Sequence, residues 1–168
     1  KAASSTGNVY DGKQKSASGF ETLQFTFNGI TYTVSGLESS SPAQKAAGTY
    51  PNTVSGTAKV TDASGNDVTA NFDVKTEDGT LEIAKRKVTF TSASAAREYN
   101  GLPLTAGSVD VTGEGFAEGE GAVFNVTGSQ LTSGSSSNSF SYTLNDGTDA
   151  DNYEITVSEG TLRVDPRS

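Results

Sequence analysis

The sequence predicts an all-β protein of two tandem small β-sandwich modules of Ig-like character, residues 1–84 and 85–168. Three observations lead there. One ending occurs twice: Asn71-Phe72-Asp73-Val74 running on to Gly79-Thr80-Leu81-Glu82-Ile83, and Asn152-Tyr153-Glu154-Ile155 running on to Gly160-Thr161-Leu162-Arg163-Val164. Apolar residues alternate with period two around turn-forming dipeptides such as Asn28-Gly29. Nineteen Gly and only 33% hydrophobic residues suit short strands with many turns, and no stretch sets helix formers at a helical period. A β-grasp-like module is the alternative, and it requires a helix.

In chain order, Lys1–Gly7 reads as a polar lead-in. Tyr10-Asp11-Gly12 then forms the opening turn of the first module, as Tyr99-Asn100-Gly101 does in the second, with Gly supplying positive φ. Leu23, Phe25 and Phe27 alternate up to Asn28-Gly29, and Ile30, Tyr32 and Val34 alternate away from it, which predicts a hairpin with a type I′ turn. Residues 38–47 read as a loop, with Tyr50-Pro51 beyond it on irregular chain, then 54–60 as a strand and 62–69 as a polar turn. The acid-Gly pair inside each repeated ending predicts a closing hairpin.

Ala84-Lys85-Arg86-Lys87 reads as a short solvated linker, which sets the modules end to end with limited swing. Beyond it, residues 88–91, 109–111, 124–126 and 140–144 read as strands, and 131–139 as a Ser-rich loop. The first module is the longer by about eight residues between its Tyr and its Asn-aromatic pair, a difference assigned to loops. It has no apolar alternation before Tyr10 to match Val88–Thr91, so its opening strand is expected to be weak or truncated inside a longer array.

Composition narrows the functions. The formal charge is −8, from twelve basic and twenty acidic residues, which disfavours nucleic acid and anionic membrane as partners. No apolar stretch nears the roughly 20 residues of a spanning helix, so membrane insertion is not expected. Without Cys there are no disulfides or thiolate metal sites, and without His a hydrolytic triad lacks its usual base. Glu114, Glu118 and Glu120 cluster on a Gly-rich stretch that does not fix the separation a glycosidase requires.

No cofactor and no catalytic residue is expected. The candidate metal ligands are Asp146, Asp149 and Asp151, whose hard oxygens in one short stretch could hold calcium; Asp62, Asn66 and Asp67 stand at the corresponding place in the first module. Asp and Asn also serve turn geometry, which is the competing reading. Tyr50, beside Pro51, is the candidate ligand contact. A Lys–Asn or Lys–Asp crosslink is disfavoured: Lys59 and Lys75 alternate opposite the apolar positions, and no Lys follows Lys87.

Tyr10-Asp11-Gly12, Ala46-Ala47-Gly48-Thr49-Tyr50, the Asn-aromatic…Gly-Thr-Leu endings, Phe116-Ala117-Glu118-Gly119-Glu120-Gly121 and Asn145-Asp146-Gly147-Thr148 together resemble the YDG/MBG-type tandem repeat domains of bacterial (Gram-positive) cell-surface and adhesin proteins. The resemblance runs from about Val9 to Val164 and departs where Ser133-Gly134-Ser135 replaces Ala47-Gly48-Thr49. It implies a non-enzymatic stalk or spacer repeat of an extracellular, cell-wall-anchored protein, monomeric, with neighbouring repeats as its partners. The alternative is a module that binds host glycan or protein. The family shares no catalytic or binding residues that could be carried over.

Overall fold

The computed structural model describes residues Lys1–Arg167. It is all-β, and among the described residues helix is confined to two 3-10 turns, Thr69–Asn71 and Ala150–Asn152. The chain forms two compact units: unit 1 holds Lys1–Val9 and Lys13–Ala84, and unit 2 holds Tyr10–Gly12 and the chain from Lys85 onward.

Unit 1 contains β1 (Ser5–Val9), β2 (Gln24–Phe27), β3 (Ile30–Ser40), β4 (Gly48–Thr61) and β5 (Gly79–Ala84). They lie in the order β1-β5-β4-β3-β2, a sheet curled into a half-barrel. Long β4 makes the curl possible, because residues 48–52 pair with β5 while 53–61 pair with β3. The β2–β3 hairpin turns at Asn28 (φ 53°) and Gly29 (φ 76°), the two positive angles that a type I′ turn requires. Val60, Leu81 and Ile83 are buried. Phe25 stacks on Tyr32, and Phe72 meets both edge to face, with ring centroids 4.9–5.3 Å apart.

Unit 2 contains β6 (Arg86–Ser92), β7 (Ala95–Glu98), β8 (Val109–Gly113), β9 (Ala122–Val126), β10 (Gly134–Ser137), β11 (Phe140–Leu144), β12 (Tyr153–Ser158) and β13 (Thr161–Asp165). They form three small sheets, β12-β6-β8, β11-β9 and β10-β13-β7. Phe90 of β6 is fully buried, with its ring against Phe116, Phe124 and Tyr142 at 4.9–5.7 Å. The first and last stretches of the unit run side by side in parallel: β6 with β12, then β7 with β13.

That pairing corrects the expected closing hairpins. β12 and β13 are not partners; the chain switches sheets between them, and β6 and β7 switch at the same level. In unit 1, Phe72–Asp78 joins no ladder, and β5 pairs with β1 and β4 instead. The glycine after each acid serves a close approach rather than a turn. A Cβ at Gly160 would lie 2.5 Å from the carbonyl oxygens of Ser92 and Ala93, and one at Gly79 would run into that of Ala3.

Other expectations change as well. β3 extends through Ser40, and Tyr50-Pro51 lies within β4. The Ser-rich stretch contains β10, because its backbone satisfies the free side of β13. The linker shrinks to Lys85, and Arg86 is half-buried and bonded rather than solvated. Phe27, Ile30 and Tyr142, in phase with apolar neighbours, are 55%, 46% and 37% exposed.

Candidate functional site

The most elaborate side-chain cluster fastens residues 10–12 into unit 2. After β8 the chain reverses at Ala117-Glu118-Gly119-Glu120, closed by Glu120 N donating to Ala117 O at 3.0 Å. Gly119 at φ 79° supplies the positive angle of a type II turn. The reversal buries Ala117 and turns the Glu120 carboxylate toward two phenols. Tyr10 donates to Glu120 Oε2 at 2.8 Å and Tyr153 to Oε1 at 3.0 Å, while Ala117 N donates to the Tyr153 hydroxyl at 3.0 Å. The Tyr10 and Tyr153 rings meet edge to face at 5.5 Å, and Phe116 meets Tyr153 at 5.3 Å.

Arg86 braces the same cluster. Its Nη2 donates to Glu114 O at 2.7 Å, its Nε to Gly115 O at 2.8 Å, and its Nη1 to Tyr10 O at 3.4 Å.

The chemistry of the cluster is that of a clasp. Burial, the hydrogen bond to Glu120 and the nearby carboxylate charge push Tyr10 up to about 12. Burial also raises Tyr153, against the opposing effect of the Ala117 N–H. Both phenols therefore stay protonated and donate near neutral pH, and they satisfy the carboxylate between them.

A buried asparagine ties backbone together in each unit, in unit 2 at the sheet switch. Asn138 is fully buried; its Nδ2 donates to Ala93 O and Ala106 O, both at 2.8 Å, and Ser92 Oγ donates to Asn138 O at 2.6 Å. Gly160 N donates to Ser92 Oγ at 2.9 Å. In unit 1, Asn52 is equally buried, and its Nδ2 donates to Ala3 O at 2.9 Å and Ala17 O at 2.6 Å. These asparagines escaped the sequence reading, although a signal exists: each follows a glycine by four residues, Gly48 to Asn52 and Gly134 to Asn138.

The expected site residues are placed as follows. Asp149 accepts from Asp151 N at 2.9 Å and caps the 3-10 turn, and Asp146 lies in the turn before it. Among the described residues no three His, Cys, Asp or Glu side chains gather as metal ligands. Asp62 accepts from the backbone of Ser64 and Asn66 and from Asn66 Nδ2 at 2.9–3.1 Å, bonds that lower its pKa, Asn66 contributing most. Asp67 accepts from Thr69 Oγ1 at 2.6 Å, which lowers it likewise. Tyr50 is half-buried, donates to Ala46 O at 2.9 Å, and lines a hollow of about 320 Å³ with Pro42, Gln44 and Pro51. Of the three glutamates, Glu120 serves the clasp, Glu114 accepts from Lys87 N at 3.1 Å, and Glu118 is exposed.

No protein-family model, curated protein or solved structure matches the chain.

Proposed function

We propose that the protein is a structural repeat segment, a stalk or spacer of an extracellular bacterial surface protein, built of Ig-like β modules and working by resisting extension. The observation that carries this reading is the parallel pairing of β6–β7 with β12–β13. Tension applied through the chain pulls on the start of β6 and the end of β13. Between parallel neighbours that force falls along the strands, so many hydrogen bonds must yield together. A hairpin pulled at its open end instead yields one bond at a time. β1 and β5 repeat the parallel arrangement in unit 1. The chain also passes between the units three times, at Val9–Tyr10, Gly12–Lys13 and Ala84–Lys85, and the clasp holds the first excursion in unit 2.

Single-molecule pulling tests the reading, because forced unfolding reports the unfolding barrier along the loaded direction. The chain has no Cys, so anchoring cysteines can be placed freely. Pulling unit 2 from its ends should require several times the force of peeling β9 from β11 through anchors at Ala122 and Leu144, which face each other in the ladder. Equal forces would count against a mechanical role. A second reading, binding of host glycan or protein, rests on the Tyr50 hollow. Saturable glycan binding lost in Tyr50→Ala would favour it.

A further inference from the structure

Asn-Gly occurs twice in the chain, at Asn28-Gly29 and at Asn100-Gly101, and the fold holds the two pairs differently. Both pairs are exposed, and both glycines have positive φ with open space where a Cβ would stand. Solvent access therefore does not separate them. Backbone freedom and local charge do.

Asn28-Gly29 is the tip of the β2–β3 hairpin. Phe27 and Ile30 pair directly beneath it, and Asn28 is held at φ 53°. Asn100-Gly101 belongs to the stretch 99–103, which joins no ladder. That stretch is tethered at its ends, where Tyr99 N donates to Asp165 O at 2.9 Å and Leu104 exchanges backbone bonds with Gln130. Within it, Leu102 N donates to Asn100 Oδ1 at 3.0 Å, and the Arg97 guanidinium donates to Leu102 O. Arg97 Nε is buried and has no partner among the described residues.

We propose that Asn100 is a self-modification site, which closes onto Gly101, loses ammonia and opens to isoaspartate, whereas Asn28 stays largely intact. In the closing step Gly101 N gives its proton to hydroxide and bonds to Asn100 Cγ, and negative charge builds on Oδ1. The Cγ–Nδ2 bond then breaks, and the nitrogen takes a proton from water, which restores the hydroxide, and departs as ammonia. Water adds to one carbonyl of the five-membered imide and breaks one of its two ring C–N bonds. The product is aspartate, or isoaspartate with the main chain routed through the side-chain carbon. One water is consumed and one ammonia released.

The fold favours position 100 at each stage. Leu102 N–H already points at the oxygen on which charge develops, as a preorganised oxyanion donor does. The Arg97 cation, bonded to the same residue 102, favours the deprotonated Gly101 nitrogen and the oxyanion that follows. Ring closure also swings the glycine nitrogen toward the asparagine side chain. A turn outside any ladder permits that rotation, and the Phe27–Ile30 pair opposes it.

The test incubates the full chain in mildly alkaline buffer and follows both positions by peptide mass spectrometry that separates isoaspartate from asparagine. Position 100 should convert at least about tenfold faster than position 28 in the folded chain. In concentrated urea, where both pairs are freed, the two rates should converge. Arg97→Gln, and Leu102→Pro, which removes the donor N–H, should each slow position 100 and leave position 28 as it was. Equal rates in the folded chain, or faster conversion at 28, would overturn the proposal. So would a preference for 100 that persists undiminished in urea, or conversion at 100 unaltered by both substitutions.

Discussion

The two units share a plan and differ in how it is filled. Each buries an asparagine that donates to backbone carbonyls, Asn52 in unit 1 and Asn138 in unit 2, the latter where the chain changes sheets. Each runs its last strand parallel to an early one. In unit 2, β6 is threaded between β12 and β8, and its Phe90 gathers Phe116, Phe124 and Tyr142 into one packed group. In unit 1, Phe25, Tyr32 and Phe72 close on one another, while Phe27 and Ile30 stay half exposed.

Phe90→Ala should break that contrast most severely. Emptying a fully buried aromatic site costs about 3–5 kcal/mol, and the loss should fall on unit 2 in urea unfolding followed by amide signals from each unit. An equal loss in unit 1 would show that the two do not unfold separately.

The clasp gives the next largest effect. Tyr10 has its pKa raised to about 12 in the folded protein, so its contribution is complete below the ordinary phenol value of about 10 and is lost as pH climbs through about 12. Over that window unit 2 should lose at most about 2 kcal/mol, tracked by phenolate absorbance together with unfolding midpoints. Tyr10→Phe should reduce this pH dependence to the share of Tyr153 and should leave unit 1 untouched, although residue 10 precedes most of the unit 1 sequence.

Truncating the pins sharpens the shared half of the comparison. Asn138→Ala leaves two carbonyls without their donor, and Asn52→Ala leaves those of Ala3, Ala17 and Gly19 so in unit 1; each should cost about 1–3 kcal/mol in its own unit by denaturant titration. The smallest effect is expected for Asp149→Ala, about 1 kcal/mol or less in unit 2 by the same titration, because a capping bond is lost from a single short turn.

How far the sequence foretold this follows the range of each interaction. The hairpin at Asn28-Gly29 was legible because its turn is decided by the two residues that make it. The repeated endings were legible as repeats and misread as hairpins. An acid-Gly pair between two apolar runs looks the same whether the chain folds back or steps into another sheet. What decides is the backbone of Ser92 and Ala93 pressing on Gly160, and nothing near Gly160 encodes it. The clasp joins residues 110 apart, so Tyr10 reads locally as a turn residue while its partner reads as one acid among several on a glycine-rich loop. Asp149 reads equally as a cation ligand or as a cap, and in the fold it caps.

Native-state amide exchange tests most directly whether the threaded strand secures the segment before the sheet switch in unit 2 and leaves its counterpart in unit 1 open. The account predicts that the hydrogen-bonded amides of β12 exchange orders of magnitude more slowly than those of residues 73–76. Equal protection of the two segments would contradict it.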